Sequence, residues 1–231
     1  QFYYNIILEY DQFQNGDIFY YLGFIANQNQ EYNLAYDYFV YARECGYSNI
    51  LLYNQLSYSL LQTKNYTELI PILHEGLYYH PDNHDLLYNL AFSYYHLDLY
   101  DEALSIFNQY FIKNNNDLTA AYLMGVSYFK VQKYKSALYY LDLANNNSDS
   151  EILHYLGSSY YELKNYSKAI RAFKKSLIIN PKNEYTIYAL GQAYIESDNK
   201  RDSKRQLKAL MNLNSELFEL LKVSFDAKFV D

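Results

Sequence analysis

The chain has 231 residues, half of them hydrophobic and 19% aromatic, which is ample material for a packed core. No stretch approaches the roughly 18 consecutive apolar residues of a membrane helix, which excludes membrane insertion by a spanning helix. The single cysteine, Cys45, leaves no internal disulfide to form, so a soluble, cytoplasmic chain is expected. Net charge is −7, unevenly placed: residues 1–116 carry three basic side chains against thirteen acidic, and residues 117–231 carry sixteen against thirteen. The chain starts at Gln1 with no charged-then-apolar leader, which suggests a segment of a longer protein.

In chain order, residues 1–15, with Ile6, Ile7, Leu8, Tyr10 and Phe13, read as one helix or half repeat. Six units follow, 16–49, 50–83, 84–117, 118–149, 150–183 and 184–217, and a capping helix is expected over 215–231. The fourth unit has only 32 residues, and its loss falls in the polar run 145–149, where a loop shortens cheaply. The sixth is degenerate, with Lys200 at the usual tyrosine position and Ser203 at the usual alanine. Divergence beside a closing helix fits an end unit that must shield its open side.

Several columns repeat through the units. Positions seven and eight hold Leu22-Gly23, Leu56-Ser57, Leu90-Ala91, Met124-Gly125, Leu156-Gly157 and Leu190-Gly191. Glycine inside a helix costs about 1 kcal/mol relative to alanine, so its recurrence implies close packing against a second helix. Position twenty holds Ala35, Leu69, Ala103, Ala137, Ala169 and Ser203, and three residues earlier stand Tyr32, Tyr66, Tyr100, Tyr134 and Tyr166. Pro81 and Pro181 end second helices, and Pro71 is expected in the first turn of one. Of three N-x-S/T triplets, at Asn65, Asn146 and Asn165, two share a turn position and read as turn chemistry.

In residues 150–183 the set Leu156-Gly157, Tyr160, Tyr166, Ala169, Phe173, Ser176 and Pro181 resembles a tetratricopeptide repeat (TPR) over its 34-residue period. The resemblance implies an all-α TPR α-solenoid, a right-handed superhelix of antiparallel helix pairs with first helices lining a concave groove and a C-terminal capping helix. It also implies protein or peptide partners, and a non-catalytic scaffold.

No P-loop, dinucleotide fingerprint, zincin motif or paired-cysteine site occurs, so no enzyme activity, cofactor or metal is expected. His74, His80 and His84 are close in sequence, but Pro81 separates them, and helix-end histidines are the simpler reading. Cys45 reads as a buried structural thiol.

The candidate binding surface is the first-helix face at positions five, nine and twelve, away from the buried positions four, seven, eight and eleven. There the residues expected to contact a partner are Tyr20, Phe24, Asn54, Tyr58, Tyr88, Asn89, Phe92, Tyr95, Tyr122 and Phe129. Tyrosine offers a large apolar area and a hydroxyl at low entropic cost. The aromatic stripe thins in the last two units, at His154, Ser158, Tyr161, Tyr188, Gln192 and Ile195. The carboxylate clamp that the family uses for chaperone C-termini needs lysine and arginine here, and positions two, five, six and nine have none. Asn54 and Asn89 are the only clamp-like residues.

A second, basic surface lies on second helices: Lys168, Arg171, Lys174 and Lys175, then Lys200, Arg201, Lys204, Arg205 and Lys208. It reads as a solvated outer face. The chain's acidity and the separation of this patch from the aromatics disfavour nucleic acid. Two further expectations stand beside the scaffold: a regulatory or oligomerisation arm of a larger enzyme, for example a glycosyltransferase, and self-association.

Overall fold

Asparagine and aspartate side chains set the start of nearly every first helix. The computed structural model describes residues 16–145 and 148–230; the helix expected over 1–15 and the triplet at Asn146 lie outside the described residues. First helices α1 (Gly16–Gln28), α3 (Ile50–Gln62), α5 (His84–His96), α7 (Leu118–Lys130), α9 (Ser150–Glu162) and α11 (Glu184–Glu196) alternate with second helices. These are α2 (Tyr32–Glu44), α4 (Tyr66–Tyr79), α6 (Tyr100–Lys113), α8 (Tyr134–Ala144), α10 (Tyr166–Ile179) and α12 (Lys200–Asn212), and α13 (Leu217–Phe229) closes the series. Among the described residues there is no strand, and no helix is long and apolar enough to cross a membrane. The architecture is an all-α TPR solenoid. Asn49, Asn83, Asp117, Asp149 and Asn183 each accept a backbone N–H of the first turn, satisfying donors that the helix leaves open.

The turn inside each pair is one device repeated. Lys164, with φ +58°, donates its N–H to the Tyr161 carbonyl, and Asn165 donates to Tyr160. This is the Schellman arrangement, in which a left-handed residue closes a helix. It recurs inside the pairs at Gln30, Lys64, Asp98, Gln132 and Asp198, and again before α13 at Asn214, all non-glycine and all with positive φ. Asn65 and Asn165 then accept from the N–H groups of Glu68 and Lys168 at 3.4 and 3.3 Å, so each opens the next helix with its own side chain. The two triplets at these positions are thus built into caps.

The column at position twenty is fully buried in all six units. The position-eight glycines Gly23, Gly125 and Gly157 face the second helix as their cost implies: a Cβ on Gly23 would lie 2.6 Å from the Phe39 ring, and one on Gly125 2.7 Å from Leu141. Within each of the two compact units described below, a second helix packs on its own first helix and on the helix that follows it.

The chain divides into two compact units, Gln1–Lys113 and Asn114–Asp231. The first is centred on Phe39, Tyr53, Leu56, Leu69 and Leu73. In the second, Phe173, Leu190 and Tyr194 form one cluster, and Ile187, Leu207, Leu210, Leu221 and Phe225 form another that seats the closing helix.

Three details differ from expectation. Pro71 is the sixth residue of α4, not in its first turn, so the ladder of that helix runs past a missing N–H. Cys45 is half-buried at the end of α2 and only flanks the first core, because it follows the last helical residue. Positions three and ten are also buried, at Leu52, Leu86, Ala120, Ile152 and Thr186 and at Ser59, Ser93, Ser127, Ser159 and Ala193. The small residues at position ten were the available signal.

Candidate functional site

In the first unit, the first-helix stripe is a set of rings shared between packing and surface. Tyr20 is 8% exposed, stacked on Tyr47 at 5.0 Å and tilted against Phe39, and burial raises its hydroxyl pKa. Asn27 is also buried: its amide donates to Gln55 Oε1, and Ser59 donates to its carbonyl, both at 2.9 Å. Asn54 is half-buried, with Oδ1 enclosed and without a hydrogen bond. Asn89 is half-buried.

Phe24 and Tyr58 face outward, 38% and 44% exposed. Tyr58 meets Tyr32 edge-on at 6.0 Å, and Phe92 meets Tyr66 in the same way at 6.2 Å. The turn tyrosine of one repeat therefore backs the position-nine ring of the next. Tyr88 stacks on Phe92 and also reaches Phe107 and Tyr110. Tyr95 lies against Tyr100. His96 adds a ring that sequence reasoning missed, stacked on Tyr66 at 4.7 Å and edge-on to Phe92 at 4.3 Å. Burial first, and then the Lys64 ammonium, depress its pKa.

In the second unit Tyr122 is half-buried, Val126 is buried, and Phe129 sits between Tyr134 at 5.6 Å and Tyr155 at 5.5 Å. A cleft of about 590 Å³ opens here, lined by Phe129, His154, Tyr155, Ser158, Asn183 and Tyr185. The His154 ring packs near Phe173, and Nδ1 lies 2.9 Å from Thr186 Oγ1. Burial pulls its pKa from 6.5 down to about 4, so the ring is neutral at physiological pH. Tyr161 tilts against Tyr166, and burial ahead of Glu196 pushes its hydroxyl up to about 12. Gln192 donates to Tyr188 and Ser224, and Ile195 is buried. Tyr155 and the 72% exposed Tyr185 were not foreseen. They stand at positions six and two, outside the five-nine-twelve series.

His74 lies 3.0 Å from the Tyr94 hydroxyl, and His80 lies 3.5 Å from the Ser48 carbonyl. Among the described residues no cluster of three metal-capable side chains forms.

The family model "Anaphase-promoting complex, cyclosome, subunit 3" matches residues 72–144, and "Tetratricopeptide repeat" matches residues 150–183. No curated protein matches the chain. Among solved structures, MamA from residue 41 to its end, from Desulfovibrio magneticus RS-1, is similar with a TM-score of 0.67 at 23% identity, over 71% of this chain and 94% of that one. A tetratricopeptide repeat protein from Parabacteroides merdae ATCC 43184 gives 0.69 at 17% identity, over 92% of this chain and 86% of that one. YrrB, described as a TPR protein with an unusual peptide-binding site, gives 0.69 at 18% identity, over 80% of this chain and 96% of its own. Repeat columns, helix pairs, Schellman turns and these matches agree on a tetratricopeptide repeat fold, and residues 150–183 match the model of the repeat itself.

Proposed function

We propose that this chain is a protein-interaction module that holds a segment of a partner polypeptide against its first-helix face. The observation that carries the reading is the run of outward or half-exposed rings on successive first helices, Phe24, Tyr58 and Phe92. Tyr58 and Phe92 are each backed by a tyrosine from the neighbouring repeat. A ring held from behind loses little freedom on meeting a ligand, which lowers the entropic cost of association. Tyr95 stands at position twelve of the same face, whereas Tyr20 is buried against Phe39 and Tyr47 and belongs to the core. Peptide binding on the related fold of YrrB supports the assignment.

A displayed peptide library panned on the intact chain is expected to yield ligands of about 1–100 μM affinity. Tyr58→Ala combined with Phe92→Ala should weaken them about ten-fold or more while helicity is retained. Selection of no peptide, or peptides bound equally well by the double variant, overturns the reading.

A further inference from the structure

Helices α10 and α12 together carry nine basic side chains and one acid, Asp202, in a chain whose net charge is −7. The basic residues of α10 are exposed, as are Arg201, Lys204, Arg205 and Lys208. Asp202 is occupied by Arg205 at 2.8 Å, and Lys200 reaches the Phe229 carbonyl at 2.8 Å. The acid within this face therefore offsets little of its charge.

The shape beneath that charge is specific. Among the described residues of the second unit, α8, α10 and α12 pack on neighbouring first helices rather than on one another, leaving a furrow on each side of α10. The furrow between α8 and α10 encloses about 360 Å³, with Leu153, Leu156 and Tyr160 as its floor and Lys168, Arg171 and Lys175 on its rim. The furrow between α10 and α12 encloses about 350 Å³ over Leu190 and Tyr194, with Lys174 and Arg205 above and Ile178 on its wall, 79% exposed. The Lys168 and Lys174 ammonium groups stand 5.2 and 5.6 Å from the Tyr160 and Tyr194 rings, which fixes cations directly over the apolar floors. Burial raises the pKa of Asp142 in the first furrow against the pull of Lys168, as a low-dielectric pocket would.

Apolar floors under basic rims call for a ligand carrying both chemistries. A phosphodiester backbone would satisfy the rims and leave the floors empty, and it would meet the carboxylates of Asp142 and Asp202. The rings in the furrows lie beneath lysines, not open for bases to stack on. A bilayer surface is flat where these furrows are concave. We propose that this face docks an acidic polypeptide segment of another protein, setting aliphatic side chains into the two furrows and carboxylates against their rims. It is separate from the first-helix face, so either site can fail without the other.

The test uses the intact chain and a labelled synthetic peptide of glutamate and leucine at helical spacing, read by fluorescence anisotropy. Comparison probes are the same peptide with serine for leucine, a short DNA duplex, and vesicles containing phosphatidylserine. The glutamate–leucine peptide is expected to bind about five-fold tighter than the glutamate–serine peptide. Arg171→Glu with Lys175→Glu should weaken it about ten-fold, added salt should weaken it further, and Tyr58→Ala with Phe92→Ala should leave it unchanged. Should charge reversal cost helicity, Arg171→Gln with Lys175→Gln serves the same comparison. Equal affinity for both peptides, indifference to the rim variants, or tighter binding of the duplex or the vesicles overturns the proposal.

Discussion

At Gly157 a hydrogen is the largest side chain the fold tolerates, because a Cβ there would lie 2.5 Å from the Phe173 ring. Alanine would gain about 1 kcal/mol of helix propensity, but overpacking costs about 1–3 kcal/mol. Gly157→Ala is therefore expected to lower the urea midpoint, and Phe173→Leu in the same chain to recover part of the loss. An unchanged midpoint would mean that the helix pair yields more easily than its geometry implies. This constraint was legible in the sequence, since a costly residue recurring at one position needs a packing reason. Gly76 was not: it stands alone in its column, and only coordinates reveal Tyr53 and Leu86 at its flank. The left-handed turn residues were hidden for the opposite reason, as Lys64, Gln132 and Lys164 carry no glycine to announce a positive φ.

Between elements, His154 ties α9 to α11 through Thr186. Its pKa of about 4 lies below the ordinary 6.5, so the folded chain binds fewer protons than the unfolded chain between those values. Stability from this group is complete above pH 6.5 and falls as pH drops toward 4. Between about pH 7 and pH 5 the loss should be about 2 kcal/mol, with the depressed His96 acting in the same direction. Denaturant titrations at the two pH values check this, and His154→Gln should flatten most of the slope. The first-helix stripe was legible only as a direction. Helical spacing set positions five, nine and twelve apart from the buried ones, but it did not show that Tyr20 and Tyr88 still reach Phe39 and Phe107 of their own pair, nor what a neighbouring segment lays over them. Tyr20 is covered by Tyr47 from the loop after α2, and Tyr155 enters the cleft from a position the spacing had set aside.

At the scale of the whole chain, the first helices among the described residues start at Gly16, Ile50, His84, Leu118, Ser150 and Glu184, at the spacing of the repeat columns. The short fourth unit shows as an α8 of 11 residues, the shortest second helix among the described residues. The boundary between Lys113 and Asn114 was not readable, since it falls within an ordinary inter-repeat connection. Residues 114–231 have their own cores and closing helix, so this fragment alone is expected to be helical and to melt cooperatively by circular dichroism. A fragment without a thermal transition would count against independent units. In earlier repeats the glycine of the first helix is met by the same repeat's second helix, through Phe39, Leu141 or Phe173, but at Gly191 the nearest atoms belong to Leu221 of α13. The last repeat is thus latched from outside itself. Amide protons around Gly191 should exchange with deuterium only as fast as α13 detaches, making that single leucine the rate-setting bolt of the carboxyl-terminal end.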